Sequence, residues 1–391
     1  MSGTHHATPE RSMAVSVLDV PFRVVFGRGL SDRDVERITA SWAECLVPAA
    51  GGGQVVHADV LPSRPSGDGV GVLADSVAQL EESLTSTLTV QAIGVRRHDL
   101  LMLHACGVAD GSGRVLAFVA ASGTGKTTMA RALGSRFGYV TDETVAVAED
   151  GAVVPYPKPL SVKPLTGTAP KAQLAPGGLG LLPRPAAPLV LAGVVLLDRR
   201  PGVAEPFLEP VDPTEAVDDL VPQTSYLSAR PRPILHLVET LRALGGVRRL
   251  VYSESAAALD LVEQLFSSLD VPAPSIWDEV LALPLPEGAG DEADLACAPA
   301  DDALLTPSGE LLVFCAGTLV RLSGIGPSVW RLVGSGVGGD DLVAAVLADV
   351  GGAPDGVDPR EAVGAAVDEL VALGVMTRRS PARPTPDGVH T

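Results

Sequence analysis

Val115-Leu-Ala-Phe-Val-Ala-Ala-Ser-Gly-Thr-Gly-Lys-Thr-Thr128 is the stretch that decides how this chain folds around its first candidate site. The apolar run reads as a strand, a Gly-rich turn ends in Gly125-Lys126-Thr127, and Thr128 to Phe137 continues as a helix. Strand, turn and helix in that order hold a nucleoside triphosphate. Backbone N–H groups of the turn and of the helix N-terminus face the phosphates, the lysine reaches the outer ones, and the next hydroxyl takes Mg²⁺. The strict pattern has a glycine five positions before Gly125, where this chain has Ala120. Ser122, Gly123, Thr124, Gly125, Lys126, Thr127 and Thr128 are therefore the expected nucleotide-binding residues.

At 391 residues the chain is long enough for two or three domains. With 46% hydrophobic and 19% charged residues it has the composition of a folded protein. A net charge of −18 without a Lys/Arg-rich block argues against nucleic acid as partner, because phosphate-backbone binding needs a basic face. Cys45, Cys106, Cys297 and Cys315 are scattered and form no CxxC pair, which argues against a zinc site and a disulfide framework. No signal-peptide layout opens the sequence, and the longest apolar run, Leu189 to Leu197, is too short to span a bilayer. The expectation is a cytoplasmic protein without a membrane segment.

Along the chain, residues 1–13 read as a disordered leader. Residues 14–98 follow as an α+β part with a strand from Val15 to Phe26 and helices at Ser31 to Leu46 and Ala74 to Gly94. Residues 99–270 form the core around the phosphate loop. There Asp99 to Val108 reads as one apolar strand and Thr144 to Tyr156 as a hairpin turning at Glu149-Asp-Gly151. A long Pro/Gly segment runs to Pro188, Leu189 begins a buried strand, and a helix is expected from Pro233 to Ala243. Residues 271–295 have the Pro/Gly/acidic composition of a linker. Residues 296–378 read as a compact unit of short strands and then three helices, and 379–391 as a loose tail.

Phosphoryl transfer needs the phosphates clamped, Mg²⁺ placed and a base aimed at the attacking oxygen. The strand Tyr139-Val-Thr141 delivers Asp142 and Glu143 shortly after the loop helix, where carboxylates serve as metal ligands or proton acceptors; a strand-end pair can also be a solvated turn. His104, in the apolar run before the loop, reads as functional or as a satisfied structural residue. Lys158 lies within Tyr156-Pro-Lys-Pro-Leu-Ser161 and Lys163 follows it, and either could steady charge on a transferred phosphoryl group or lie on a rigid surface loop.

His104, the Ala-Ser-Gly-Thr-Gly-Lys-Thr loop and Asp142-Glu143, in that order and spacing, resemble the HPr kinase/phosphorylase family. The likeness covers about residues 95 to 165 well and the flanks loosely. It is closest to shorter relatives in biosynthetic clusters for ribosomally made peptides, where Pro-Leu-Ser-x-Lys also follows the acidic pair. The resemblance implies an α/β fold with the P-loop sheet of HPr kinase and PEP carboxykinase. It also implies ATP and Mg²⁺ as cofactors and phosphorylation of a serine hydroxyl. By carry-over Asp142 is the general base, Glu143 and Thr127 hold the metal, and His104 faces the phosphate or supports a group that does; with Lys163 these make up the expected catalytic set of Asp142, Glu143, His104 and Lys163. This chain departs from the family at Ala120 and in having Glu143 for a second Asp.

The carboxy-terminal unit resembles a PqqD-type peptide-recognition domain, on Leu311-Leu-Val-Phe314, Leu319 to Val333 around Trp330, and Val367 to Met376. That implies a winged-helix-like α+β domain that takes a leader peptide as an added strand. Together the resemblances imply a kinase acting on a Ser or Thr of a precursor peptide, with the leader peptide as partner. HPr kinases are hexamers, which puts a homo-oligomer among the expectations. The alternatives are a non-catalytic nucleotide-binding protein that delivers a peptide, an ATPase or phosphorylase using another acceptor, and a DNA-binding regulator, which the acidic charge disfavours.

Overall fold

The computed structural model describes residues 11–48, 52–62, 68–162, 170–269, 279–286 and 294–378. Its class is α/β. Among the described residues no helix is long and apolar enough to cross a membrane. The chain divides into two compact units, residues 1–211, 222–226 and 244–274 in the first and residues 212–221, 227–243 and 275–391 in the second.

The first unit opens with a sheet of Ser12–Val17 (β1), Val20–Phe26 (β2), Gln54–Val60 (β3) and Val70–Ala74 (β4), in that order. The strand expected from Val15 to Phe26 is a hairpin. Leu18 and Asp19 have φ of 51° and 61°, the two-residue left-handed loop that closes tight hairpins, and the apolar run hid it. Ser12 and Met13, expected in the disordered leader, pair with Val25 and Val24. The helix Asp32–Ser41 starts at a capping box between Ser31 and Asp34. Val77–Val95 starts at Ser76, whose side chain accepts from Gln79 N. Leu80, Leu84, Leu88 and Ala92 recur every fourth position and are buried in the core shared with the N-terminal sheet.

Further strands follow: Leu101–Leu103 (β5), Ala105–Ala109 (β6), Arg114–Val119 (β7), Gly138–Thr141 (β8), Val145–Val147 (β9), Val153–Val154 (β10), Leu160–Val162 (β11), Ala172–Leu174 (β12), Val190–Arg199 (β13), Phe207–Pro210 (β14), Thr224–Ser225 (β15) and Val247–Tyr252 (β16). The central sheet runs β14-β16-β13-β7-β6-β8. β7, β13 and β16 are parallel, and β6, β8 and β14 run antiparallel to their neighbours. Helices Lys126–Gly134 and Leu259–Ser268 cover one face, where Met129, Leu133, Val262, Leu265 and Phe266 meet Cys106, Phe118, Tyr139 and Val195 in one core. A second sheet runs β10-β9-β5-β15.

The single strand expected from Asp99 to Val108 is broken at His104. β5 belongs to the second sheet and β6 to the central one, so the chain changes sheets there, and the His104 N–H donates to the Gln223 carbonyl at 2.7 Å. Apolar periodicity cannot reveal such a break, because both halves are buried.

The second unit contains a sheet of Leu281–Ala282 (β17), Asp302–Leu305 (β19), Leu311–Cys315 (β20) and Thr318–Leu322 (β21), with Leu295–Cys297 (β18) paired to Met376–Arg378 (β22). Helices Gly326–Gly334, Asp341–Val350 and Pro359–Ala372 pack Val329, Trp330, Val346, Val363 and Val367 against that sheet's Leu311, Val313 and Leu322. Two departures from the sequence expectation stand out. β17 lies inside the segment read as linker. Helices Pro213–Leu220 and Pro233–Ala243, read as part of the phosphate-loop core, group with the second unit. Asp302 supplies the physical reason for the latter. Fully buried on β19, it accepts from Leu235 N at 2.7 Å and Arg232 Nε at 2.6 Å, and so caps the helix Pro233–Ala243 from outside. The tail expected at 379–391 lies outside the described residues.

Candidate active site

The loop Ala120 to Gly125 joins β7 to the helix Lys126–Gly134, so the buried central strand aims its carboxyl end at the helix N-terminus. Gly123 and Gly125 have φ of 83° and 107°, and a Cβ at either would meet nothing within 4 Å. Glycine is therefore required at both by backbone conformation and not by space. Ala120, the departure from the loop pattern, is not among the positive-φ residues, so its methyl group carries no such strain. The Thr124 hydroxyl donates to Ala121 O at 2.6 Å and pins the turn. Lys126 is buried, and its ammonium donates to the carbonyls of Ala120 and Ala121. Burial holds its pKa below the usual lysine value, a shift that Cys106, Glu143 and Asp142 oppose.

The acidic pair reaches the loop because the chain turns sharply off β8. The Thr141 hydroxyl accepts from Glu143 N at 3.3 Å and Thr144 N at 3.4 Å, and Glu143 O accepts from Ala105 N at 3.1 Å. Asp142 is buried and has both oxygens engaged. Oδ2 accepts from the Thr127 hydroxyl at 3.2 Å; Oδ1 accepts from the Tyr139 hydroxyl at 3.2 Å and the Lys158 ammonium at 2.8 Å. Burial first, and then Asp142, push the Tyr139 phenol well above its ordinary value, so it remains a donor. Glu143 is the more exposed carboxylate, with a side chain 36% accessible; Oε2 meets Lys158 Nζ at 3.1 Å. No hydrogen bond to Glu143 Oε1 is present among the described residues.

Lys158 is the residue whose place the sequence left most open. Its side chain is 1% exposed, and its ammonium also donates to Pro159 O at 3.1 Å. Burial works against the charge, but Asp142 and Glu143 outweigh it and raise its pKa above the usual lysine value. Lys163, the other lysine of that segment and the one expected in the catalytic set, lies outside the described residues.

His104, Ser122, Gly123, Thr124, Gly125, Lys126, Thr127, Thr128, Asp142, Glu143 and Lys158 all line one cleft of about 550 Å³. The break between β5 and β6 puts His104 there. Burial, then the Lys126 ammonium, hold its imidazole below the ordinary histidine value, so it is neutral at pH 7. No protein-family model matches this chain. No curated protein matches it either. The site therefore rests on its own geometry.

Sequence reasoning missed Arg131, Ser161, Lys171 and Arg199, which also line the cleft. Arg131 had a signal: it lies one turn beyond Thr127 on the loop helix, at the i, i+4 spacing that shares a face. Lys171 and Arg199 arrive from distant segments and had none.

Among the described residues no group of three or more His, Cys, Asp or Glu is placed to hold a metal ion. The donor set nonetheless fits Mg²⁺, which is held by one or two carboxylates and substrate phosphates instead of an all-protein cage. Thr127 Oγ1 and the carboxylates of Asp142 and Glu143 are hard oxygen donors beside the phosphate loop.

Proposed function

We propose that this chain is an ATP-dependent kinase of the HPr kinase type that phosphorylates a Ser or Thr hydroxyl of a ribosomally made precursor peptide. In this reading the second unit is a PqqD-like, winged-helix-like module that holds the peptide's leader. The observation that carries the reading is the convergence in one cleft of the phosphate loop, the Thr127–Asp142 hydrogen bond and a second carboxylate, Glu143. Sequence order, strand end and loop helix all lead to that one point.

The chain's own groups divide the work. Loop N–H groups and Lys126 cradle the phosphates, with Lys126 exchanging the Ala120 and Ala121 carbonyls for phosphate oxygens. Thr127 and Asp142 would hold Mg²⁺, which when bound would neutralise negative charge on the phosphates. Glu143 Oε1, uncommitted among the described residues, accepts the acceptor hydroxyl proton. The hydroxyl oxygen bonds to the γ-phosphorus as the bond to the β,γ-bridging oxygen breaks, and ADP leaves with that electron pair. These roles exchange the two carboxylates relative to the family carry-over, because Asp142 already accepts three hydrogen bonds and is buried. Neutral His104 is a hydrogen-bonding group at the cleft wall.

Leader capture by the second unit would keep the peptide core near the cleft at high effective concentration. The test is to incubate purified protein with Mg·ATP and the peptide encoded beside its gene and to follow intact mass. The expected result is a gain of one phosphate that is absent with Lys126→Met. No gain with any neighbouring peptide refutes the proposal.

A further inference from the structure

Fully buried lysines are rare, since the ammonium gives up its hydration on burial. Lys158 is 1% exposed and uses its three donors on Asp142 Oδ1 (2.8 Å), Glu143 Oε2 (3.1 Å) and Pro159 O (3.1 Å). Its ammonium thus bridges two consecutive carboxylates, and one of them is bonded to the phosphate-loop hydroxyl of Thr127. A cation between two carboxylates beside that hydroxyl is the charge arrangement that a divalent metal would otherwise provide. Lys126, Arg131, Lys171 and Arg199 also line the cleft, but among the described residues only Lys158 is ion-paired with Asp142 and Glu143.

We propose that Lys158 is the positioning residue of the acidic pair: its ammonium fixes Asp142 and Glu143 relative to Thr127 and supplies the neutralising charge that keeps free divalent cations out, so that metal enters only with nucleotide. This rests on the reading of the cleft as a site for Mg²⁺ and nucleotide. The physical basis is mutual. Without the ammonium, adjacent carboxylates repel each other and attract a divalent cation strongly in a partly buried site. With it, the pair is already satisfied, and the metal must bring phosphate oxygens as further ligands.

The test uses the full chain and Mn²⁺ as probe, with bound metal read by loss of the free Mn²⁺ paramagnetic resonance signal. Wild type is expected to bind Mn²⁺ weakly alone and to acquire one saturable site when a non-hydrolysable ATP analogue is added. Lys158→Met, close in shape and uncharged, is expected to bind nucleotide-free Mn²⁺ at least about tenfold more tightly than wild type. The double variant Lys158→Met, Asp142→Asn is expected to lose that gain. A lysine that only filled the core would alter stability without creating a metal site. Folded Lys158→Met that binds nucleotide-free Mn²⁺ no better than wild type overturns the proposal. If Lys158→Met does not fold, wild type still decides: tight nucleotide-free Mn²⁺ binding that the analogue does not change also overturns it. A gain of Mn²⁺ binding in Lys158→Met, with no analogue binding to either protein, would refute the nucleotide reading and the nucleotide-dependent entry of metal, while supporting the exclusion of free divalent cations by Lys158.

Discussion

Asp302→Ala should loosen the second unit while leaving the first unchanged. Asp302 is fully buried on β19 and accepts from Leu235 N at 2.7 Å, at the first turn of the helix Pro233–Ala243, and from Arg232 Nε at 2.6 Å. Truncation leaves the Leu235 N–H without its acceptor. Stranding a buried donor costs about 1–3 kcal/mol, and loss of a helix cap on its own costs about 1 kcal/mol. The Arg232 side chain is 35% exposed, so water takes over part of its bond and its share is small. Both figures describe the same lost Leu235 N–H bond, so the cost is about 1–3 kcal/mol, which raises the opening equilibrium by about 5- to 150-fold. Hydrogen exchange read by mass spectrometry tests this. Peptides covering residues 233–243 and 311–322 should exchange faster by that factor, and peptides covering residues 13–26 and 114–119 should not change. Unaltered exchange over 233–243 would refute the account in which a residue of β19 holds this helix in the second unit.

Three further outcomes follow from the site. Asp142→Asn should cost about 3 kcal/mol in urea unfolding, since it removes the shorter of two carboxylate bonds from a buried ammonium; Glu143→Gln, at a more exposed side chain, should cost less than about 1 kcal/mol. Gly125→Ala should cost about 1–3 kcal/mol from φ alone, because its Cβ would be clear of all neighbours, and calorimetry should show weaker nucleotide binding. His104, assigned by comparison with His104→Gln, should titrate below 6.5 in an NMR pH series. Its depressed value means that the unfolded chain takes up the proton first. The contribution to stability is therefore in place above pH 6.5 and is lost as pH falls through the folded value. A His104 titration at or above 6.5 would contradict the burial and the Lys126 proximity that lower it.

Residues 115–128 by themselves determined that a strand feeds a Gly-rich turn and a helix, since an apolar run, two glycines in left-handed conformations and the helix that follows are local properties. The helix Pro233–Ala243 was likewise legible from its sequence. Asp142 and Glu143 could be singled out because a short strand places them soon after the loop helix. Their difference could not, because it comes from Thr127, Tyr139 and Lys158, which engage Asp142 on both oxygens and leave Glu143 the more exposed. Tertiary structure alone decided that Lys158 is a buried partner of the acidic pair and not a surface lysine on a Pro-rich loop. It also decided that the strand at His104 breaks between two sheets, and that the helix Pro233–Ala243 belongs with β19. The reason is the same each time. Periodicity and turn chemistry act over a few neighbouring residues, whereas a buried charge is placed by whichever opposite charge the folded chain brings within about 3 Å of it.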